Sequence, residues 1–320
     1  MYKYIKNYPR NRENGWSHEL NGVCHDDNNW FFTQNGVPGR EIGVLWKFPI
    51  THRLGNKVTC ANLEEGILRC TLPQPRGKTI PYHFGDIDYH RGYLFVPVTG
   101  DGAPYIQVFS ARNLRPVVKQ VLLRPDGKVF KTIGWCAINP KDGRLYTSDK
   151  HVSDRFVKSD YSPFFVYDID FAKISREEIG FLSFKTYLVP MNEKRELLSL
   201  EHMQGGCFDM DNHLHVNNGY YTGVREKWCN DRGGISVFQV PNTLSNGIPF
   251  YIRRIAHSQQ KRGFRYQFDG LGDEPEGLTH WDLNRDRRAP GICGVLHAIM
   301  LNNDVGKNPD DFYFKHYDRL

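Results

Sequence analysis

His83 and Asp86 stand three residues apart in HFGD, and Glu201, His202 and Gln204 crowd into EHMQ just ahead of a glycine pair. An imidazole and a carboxylate so placed can serve as acid and base, and two histidines with a carboxylate can hold a divalent metal that keeps an open position. A third group is acidic: DGLGDEPEG gathers Asp273, Glu274 and Glu276, whose like charges repel unless a positive group or a shared proton sits beside them. Asp26, Asp86 and Glu276 come from three separate regions and form a candidate carboxylate set, in which one acid protonates a leaving oxygen and another acts as nucleophile or base. Trp135 and the Tyr220–Tyr221 pair of NNGYYTG offer ring faces on which a sugar can stack, whereas Trp30 lies inside a strand pattern and reads as core.

Residues so far apart must be brought together by the elements that carry them. The stretch QGGCFDMDNHLHVNNGYY, from Gln204, has a small residue, an acid or amide, a short turn and then an alternating apolar run. GVCHDDNNWFFTQ, GDIDYHRGYLFVPV, CAINPKDGRLYTS and GLTHWDLNRDRRAPGICGVLHAIML repeat that order. The anchors at 22, 85, 136, 206 and 277 are separated by 63, 51, 70 and 71 residues, a period too long and too β-rich for a helical solenoid and suited to a four-stranded propeller blade. Each anchor is followed by a second apolar run centred on an aromatic, and the first four by an outer strand. The fifth lacks one, and a bare edge is what sheets avoid. YKYIKNY at the N-terminus alternates as a strand and is expected to supply it.

The expectation is therefore an all-β chain, one propeller domain over 1–320. Five four-stranded blades have cores near 20–72, 83–123, 133–190, 204–257 and 274–320, and residues 2–8 close the ring; six blades is the alternative. On these repeats the chain resembles the β-propeller superfamily over nearly its whole length. Five-bladed members include arabinanase-like and invertase-like glycosidases and tachylectin-like lectins. Six-bladed ones include gluconolactonase-like and strictosidine synthase-like enzymes, to whose EG-containing blade opening DEPEGLTHWDL is loosely similar. The resemblance to the glycosidases implies the acid and nucleophile arrangement of Asp26, Asp86 and Glu276.

In a propeller the first strand of each blade lines the central channel and begins near one mouth. The residues just before the anchors are thus the candidates: Glu19, Leu20 and Asn21; Tyr82, His83 and Phe84; Gly134 and Trp135; His202, Met203 and Gln204; Glu274, Pro275 and Glu276. That set is more polar than packing requires. The acid-base roles fall to His83, Asp86, Glu276 and Asp26, and ligand contacts to Asn21, Trp135, His202, Gln204, Glu274, Tyr220 and Tyr221. A divalent metal in the channel is weighed and not favoured. His25, Asp88, Asn139, Asp209 and His280 recur three residues after each anchor, as strand-end residues bonding to backbone do. DMDN lacks the further acids of a calcium loop.

Composition narrows the classes. Aromatics are 13% and hydrophobics 39%, with 30 glycines and 18 prolines, a globular and turn-rich balance. The net charge of +6 is scattered, so nucleic acid is not the expected partner. No apolar run reaches a membrane span, and the N-terminus lacks a signal-peptide core, which favours a soluble cytoplasmic monomer over a processed secreted one. Seven cysteines without CxxC spacing indicate neither a zinc ribbon nor a disulfide framework; Cys60 and Cys70 are expected reduced. Nucleophile motifs of the GxSxG and P-loop kinds are absent from the sequence. The reading is a small polar ligand, a carbohydrate or related metabolite, bound at the channel mouth. It leaves open whether that ligand is turned over, by a hydrolase or lyase, or only held by a lectin-like or interaction module.

Overall fold

The segment Asn29–Asn35 reads NWFFTQN, and its rings divide by parity: Trp30 and Phe32 pack to one side, Phe31 to the other. Successive side chains of a strand point to opposite faces, so a run apolar at every position makes a strand covered on both. Phe164–Ile169 behaves alike, with Phe164 and Val166 on one face and Phe165 and Tyr167 on the other. Sheets built from such strands must be stacked between neighbours.

The computed structural model describes residues 2–10, 15–36, 41–73, 83–100, 102–149, 161–200, 202–219, 234–258, 273–302 and 311–320. The chain opens with β1 (Tyr2–Arg10) and then forms a four-stranded antiparallel sheet of β2 (Leu20–His25), β3 (Asn29–Asn35), β4 (Glu41–Pro49) and β5 (Leu68–Pro73). In the next sheet, β6 (His83–Phe84) and β7 (Asp88–His90) both pair with β8 (Tyr93–Thr99), as two pieces of one inner strand interrupted at Asp86; β9 (Tyr105–Ser110) and β10 (Pro116–Val121) complete it.

The third meander is β11 (Ile133–Ile138), β12 (Leu145–Asp149), β13 (Phe164–Ile169) and β14 (Leu182–Met191), with a one-turn helix, α1 (Phe171–Ser175), before its last strand. Asp170 caps that helix by accepting the Lys173 N–H. The fourth is β15 (Met203–Phe208), β16 (His213–Asn218), β17 (Gly234–Gln239) and β18 (Phe250–His257), joined to the third by parallel pairing of β14 with β18. The last sheet holds β19 (Asp273–His280), β20 (Leu296–Asn302) and β21 (Asp311–Arg319), and its outer strand is β1, antiparallel to β21 from Tyr2↔Arg319 to Arg10↔Tyr313.

Each sheet packs face to face on the next. Phe31 and Leu45 meet Phe84 and Leu94 between the first two sheets, and Phe95 and Val108 meet Phe165 and Tyr167 between the second and third. Trp135 and Phe164 meet Leu214 and Phe238, and Val237 meets Leu296 and Tyr317. Phe32 and Trp46 meet Ile299 and Phe314, so the last sheet packs on the first and the ring closes. The chain is a β-propeller. Among the described residues no helix is long and apolar enough to cross a membrane, and Cys60 and Cys70 are unpaired thiols.

The inner strands approach so closely that the anchor Gly277 and Gly205, next to the anchor at 206, admit no side chain. A Cβ on Gly277 would lie 2.6 Å from the Gly22 Cα and 2.8 Å from a carboxylate oxygen of Asp86, and one on Gly205 would overlap the Glu276 carbonyl. The glycines that begin the repeats are there because backbone meets backbone around the channel.

Candidate functional site

Glu274 and Glu276 alternate on β19, which turns both carboxylates to one side of the strand. Between them and the neighbouring inner strand stands Gln204 of β15. Its Nε2 donates to Glu274 Oε1 at 2.5 Å and to Glu276 Oε1 at 2.6 Å, so one amide group holds two carboxylates. Gln204 and Glu276 are buried, and the Asn217 amide donates to the Glu276 carbonyl from below. The two Gln204 contacts to carboxylates are charge-assisted, and such contacts are about twice as strong as neutral ones.

Next to this group the chain enters β2. Asn21 donates Nδ2 to Asn35 Oδ1 at 2.6 Å, and Asn35 donates Nδ2 to Glu19 Oε2 at 2.9 Å. Together Glu19, Asn21, Asn35, His83, Gln204, Glu274 and Glu276 line a cavity of about 270 Å³ at the mouth of the channel, with Gly85, Gly134 and Leu301 completing its wall. The floor of hydrogen-bond acceptors is dense: three carboxylates and three side-chain amides come from three sheets, and His83 from a fourth.

Below the mouth lies Asp86, fully buried on the axis. Its Oδ1 accepts the N–H groups of Val23 at 2.9 Å and Ile87 at 3.1 Å, and its Oδ2 those of Gly206 at 2.9 Å and Leu278 at 3.1 Å. Burial pushes this carboxyl well above the ordinary range, and the N–H groups of Val23, Gly206 and Leu278 pull it back. Both oxygens are engaged by backbone from β2, β15 and β19, so Asp86 is set to tie inner strands together rather than to meet a ligand. Asp88, one layer further, accepts N–H from Tyr89 at 2.7 Å and Ile138 at 2.5 Å, and burial pushes it up to about 7.

The structure brings together Asn21, His83, Gln204, Glu274 and Glu276 from the sequence-derived candidates. His202 stands beside them, its Nδ1 3.7 Å from Glu274 Oε1. Asp26 is not with them: it follows β2 at the far end, roughly 16 Å along the strand from Asn21 at about 3.3 Å per residue. There its carboxylate accepts the N–H groups of Asn28 at 2.8 Å and Asn29 at 2.7 Å in a local turn. Trp135 is wholly buried, packs over Gly206 and donates its indole N–H to Ser148 Oγ at 2.7 Å, which makes it part of the core. Tyr220 and Tyr221 lie outside the described residues.

At that far end His25, Asp88, Asn139 and Asp209 do bond to backbone. Asp209, Asp211 and His213 come close enough together to suggest a cation site. Arg319 already meets Asp211 at 2.9 Å and Asp209 at 3.3 Å, and His213 Nδ1 meets Asp209 at 3.0 Å, so the group is an ion-pair cluster that fastens β21 to the β15–β16 turn.

No protein-family model matches the chain, and no curated protein does. Solved structures similar to it include the GH43_1 enzyme from Xanthomonas citri, at 10% identity over 94% of this chain and 87% of that one, with a TM-score of 0.48. The native arabinanase Arb43A of Bacillus subtilis follows at 10% identity over 98% of this chain and all of that one, TM-score 0.47. A luciferin-regenerating enzyme has 9% identity over 99% and 95%, TM-score 0.44.

Of the polar lining residues, one is among the sequence candidates without an assigned role and one is missing from them. Glu19 stood among the polar residues ahead of the anchors without being singled out, and Asn35 ends the second strand, where no repeat position pointed. A signal is visible in hindsight: Glu19 and His202 occupy equivalent places, one residue before an inner strand. Both have left-handed backbone, φ 52° and 54°, and each carbonyl accepts an N–H from the end of the following strand, Asn35 or Gly219. Such a conformation costs of order 1–2 kcal/mol in a residue with a side chain, and a recurring cost marks a recurring turn into the channel.

Proposed function

We propose that the chain is a single five-bladed propeller whose channel-mouth cavity binds a small polar ligand, a carbohydrate or a related polyhydroxylated metabolite. The observation that carries this is the Gln204 amide holding Glu274 and Glu276 side by side in the wall of the cavity. Hydroxyl groups donate to carboxylates and both donate to and accept from amides, so a polyol satisfies this lining where an apolar molecule would leave buried acceptors unpaired. The volume sits at the small end for ligand sites and suits one sugar ring rather than a long chain.

If the ligand is turned over, Glu276 and His83 are the acid-base pair, one protonating the leaving oxygen and the other drawing a proton from water. Asp86 and Asp26 take no part in that step: the first is used by backbone amides and the second lies at the other end. A noncatalytic binding module uses the same contacts without bond cleavage. A panel of nitrophenyl glycosides separates the two readings. Release of nitrophenolate by the wild-type chain, lost in Glu276→Gln, supports a hydrolase; binding without release supports the module; neither binding nor release defeats both.

A further inference from the structure

Sheets set around an axis diverge toward their outer strands, and the wedge between two of them must be filled by side chains. Near the axis Phe31, Leu45, Phe84 and Leu94 fill the space between the first two sheets. Further out, Val98, Tyr105 and Val121 stand in one register row across β8, β9 and β10. With Ile42 of β4, Leu72 of β5 and Ile179 from the loop ahead of β14 they line a cavity of about 760 Å³. It opens to solvent, Val121 being 40% and Ile179 78% exposed. No described residue lines both this cavity and the one at the channel mouth.

The amides of the lining are engaged inside the fold. Gln120 accepts the Leu182 N–H at 2.8 Å and donates Nε2 to the Leu182 carbonyl at 2.7 Å, and Gln107 donates Nε2 to the carbonyls of Val108 and Val118, both at 3.1 Å. Lys119 is different. It is exposed, its ammonium rests over the Tyr105 ring at 5.0 Å, and no carboxylate among the described residues pairs with it. At the rim a second ammonium, Lys173 Nζ, donates to the Gly180 carbonyl at 3.0 Å. Acids close by in the chain are held by arginines: Glu41 by Arg69 at 3.3 Å, Glu177 by Arg115 at 2.8 Å and Glu178 by Arg176 at 2.8 Å. Among the described residues no Asp or Glu lines the cavity, which therefore joins an apolar wall to a positive rim.

We propose that this cavity is a second ligand site, which takes a medium-chain fatty acid anion with its hydrocarbon against Val98, Tyr105, Val121 and Ile179 and its carboxylate on Lys119. The volume lies in the range of sites for small organic ligands, and an apolar wall with few polar groups is their usual lining. Each methylene that leaves water for that wall favours binding, while the carboxylate stays at the rim and accepts a charge-assisted hydrogen bond. A sugar would strand its hydroxyls against the wall, and a cationic amphiphile of the same shape would meet Lys119 and Lys173. This site is therefore chemically opposite to the acid-lined mouth.

Isothermal titration of the full chain at pH 7.5 with decanoate and with decyltrimethylammonium, each below its micelle-forming concentration, tests the proposal. Saturable decanoate binding is expected, at least about tenfold tighter than that of the cation. Lys119→Glu and Ile179→Asp alter exposed positions that the fold does not need, and each is expected to weaken decanoate by about tenfold or more. Lys119→Glu must also move the preference toward decyltrimethylammonium, which a merely apolar surface would not do. The absence of saturable decanoate binding, a wild-type chain that takes the cation as well as the anion, or full-strength decanoate binding in either variant overturns the proposal.

Discussion

Asp86 and Gly206 lie 120 residues apart and are joined at 2.9 Å, carboxylate to backbone N–H, across the axis of the ring. The same carboxylate accepts from Val23 and Leu278, so one side chain satisfies donors on three inner strands that have no ladder partner there. Asp86→Ala leaves those N–H groups buried and empty, and loss of at least about 3 kcal/mol of stability is expected. Asp86→Asn keeps the volume but turns an N–H₂ toward two of the donors, and it too is expected to be strongly destabilising. Denaturant melts of both variants check this; a stable Asp86→Asn protein would show that the contacts are incidental.

Asp88 gives a prediction in pH. Burial raises it to about 7 in the fold, against 3.8 in the free group, so between those values the folded chain keeps a proton that the unfolded chain has lost. Its contribution to stability is full below about 3.8 and disappears as pH rises through 7. Carbon-13 NMR of the side-chain carboxyl, assigned by its absence in Asp88→Asn, should show a midpoint near neutrality; a midpoint below 5 contradicts the burial argument.

The closing strand yields a third. β1 is the outer strand of the last sheet, and its Tyr2 and Tyr4 rings pack on Tyr317 and its neighbours. Deleting residues 2–10 bares the edge of β21 and removes that packing, so a fall in Tm of more than about 5 °C is expected for a domain of this size. A synthetic peptide of residues 2–10 added in trans should recover part of the loss. Unchanged melting after the deletion would mean that the ring does not depend on its closing strand.

Much of this architecture was legible because it repeats. The glycine anchors, the alternating rings of NWFFTQN and FFVYDI, and the missing fifth outer strand each follow from how strands pack and how edges are protected. The same repeats located the channel-facing positions, which is why Asn21, His83, Gln204, Glu274 and Glu276 fall in one cavity. What sequence could not resolve was depth along the channel. Asp26, Asp86 and Glu276 look alike as acids near anchors, yet they sit at the far end, on the axis and at the mouth. Their ranking depends on which residues precede or follow each glycine and on which backbone donors lack partners. Trp135, a ligand contact by sequence, is core in the structure for a related reason: its neighbour Gly206 leaves a space that the indole fills, and a space is invisible in one segment read by itself.

The central claim is that the mouth cavity, and not the far end, takes a small polyhydroxylated ligand through Glu276 and Gln204. The direct measurement is saturation-transfer NMR of the wild-type chain against neutral pentose and hexose mono- and disaccharides, repeated with Glu276→Gln, Gln204→Leu and Asp26→Asn. The account predicts transfer to at least one sugar, weakened about tenfold or more by the first two substitutions and unchanged by the third. Transfer to none of the sugars, or transfer that survives Glu276→Gln and fails in Asp26→Asn, contradicts it.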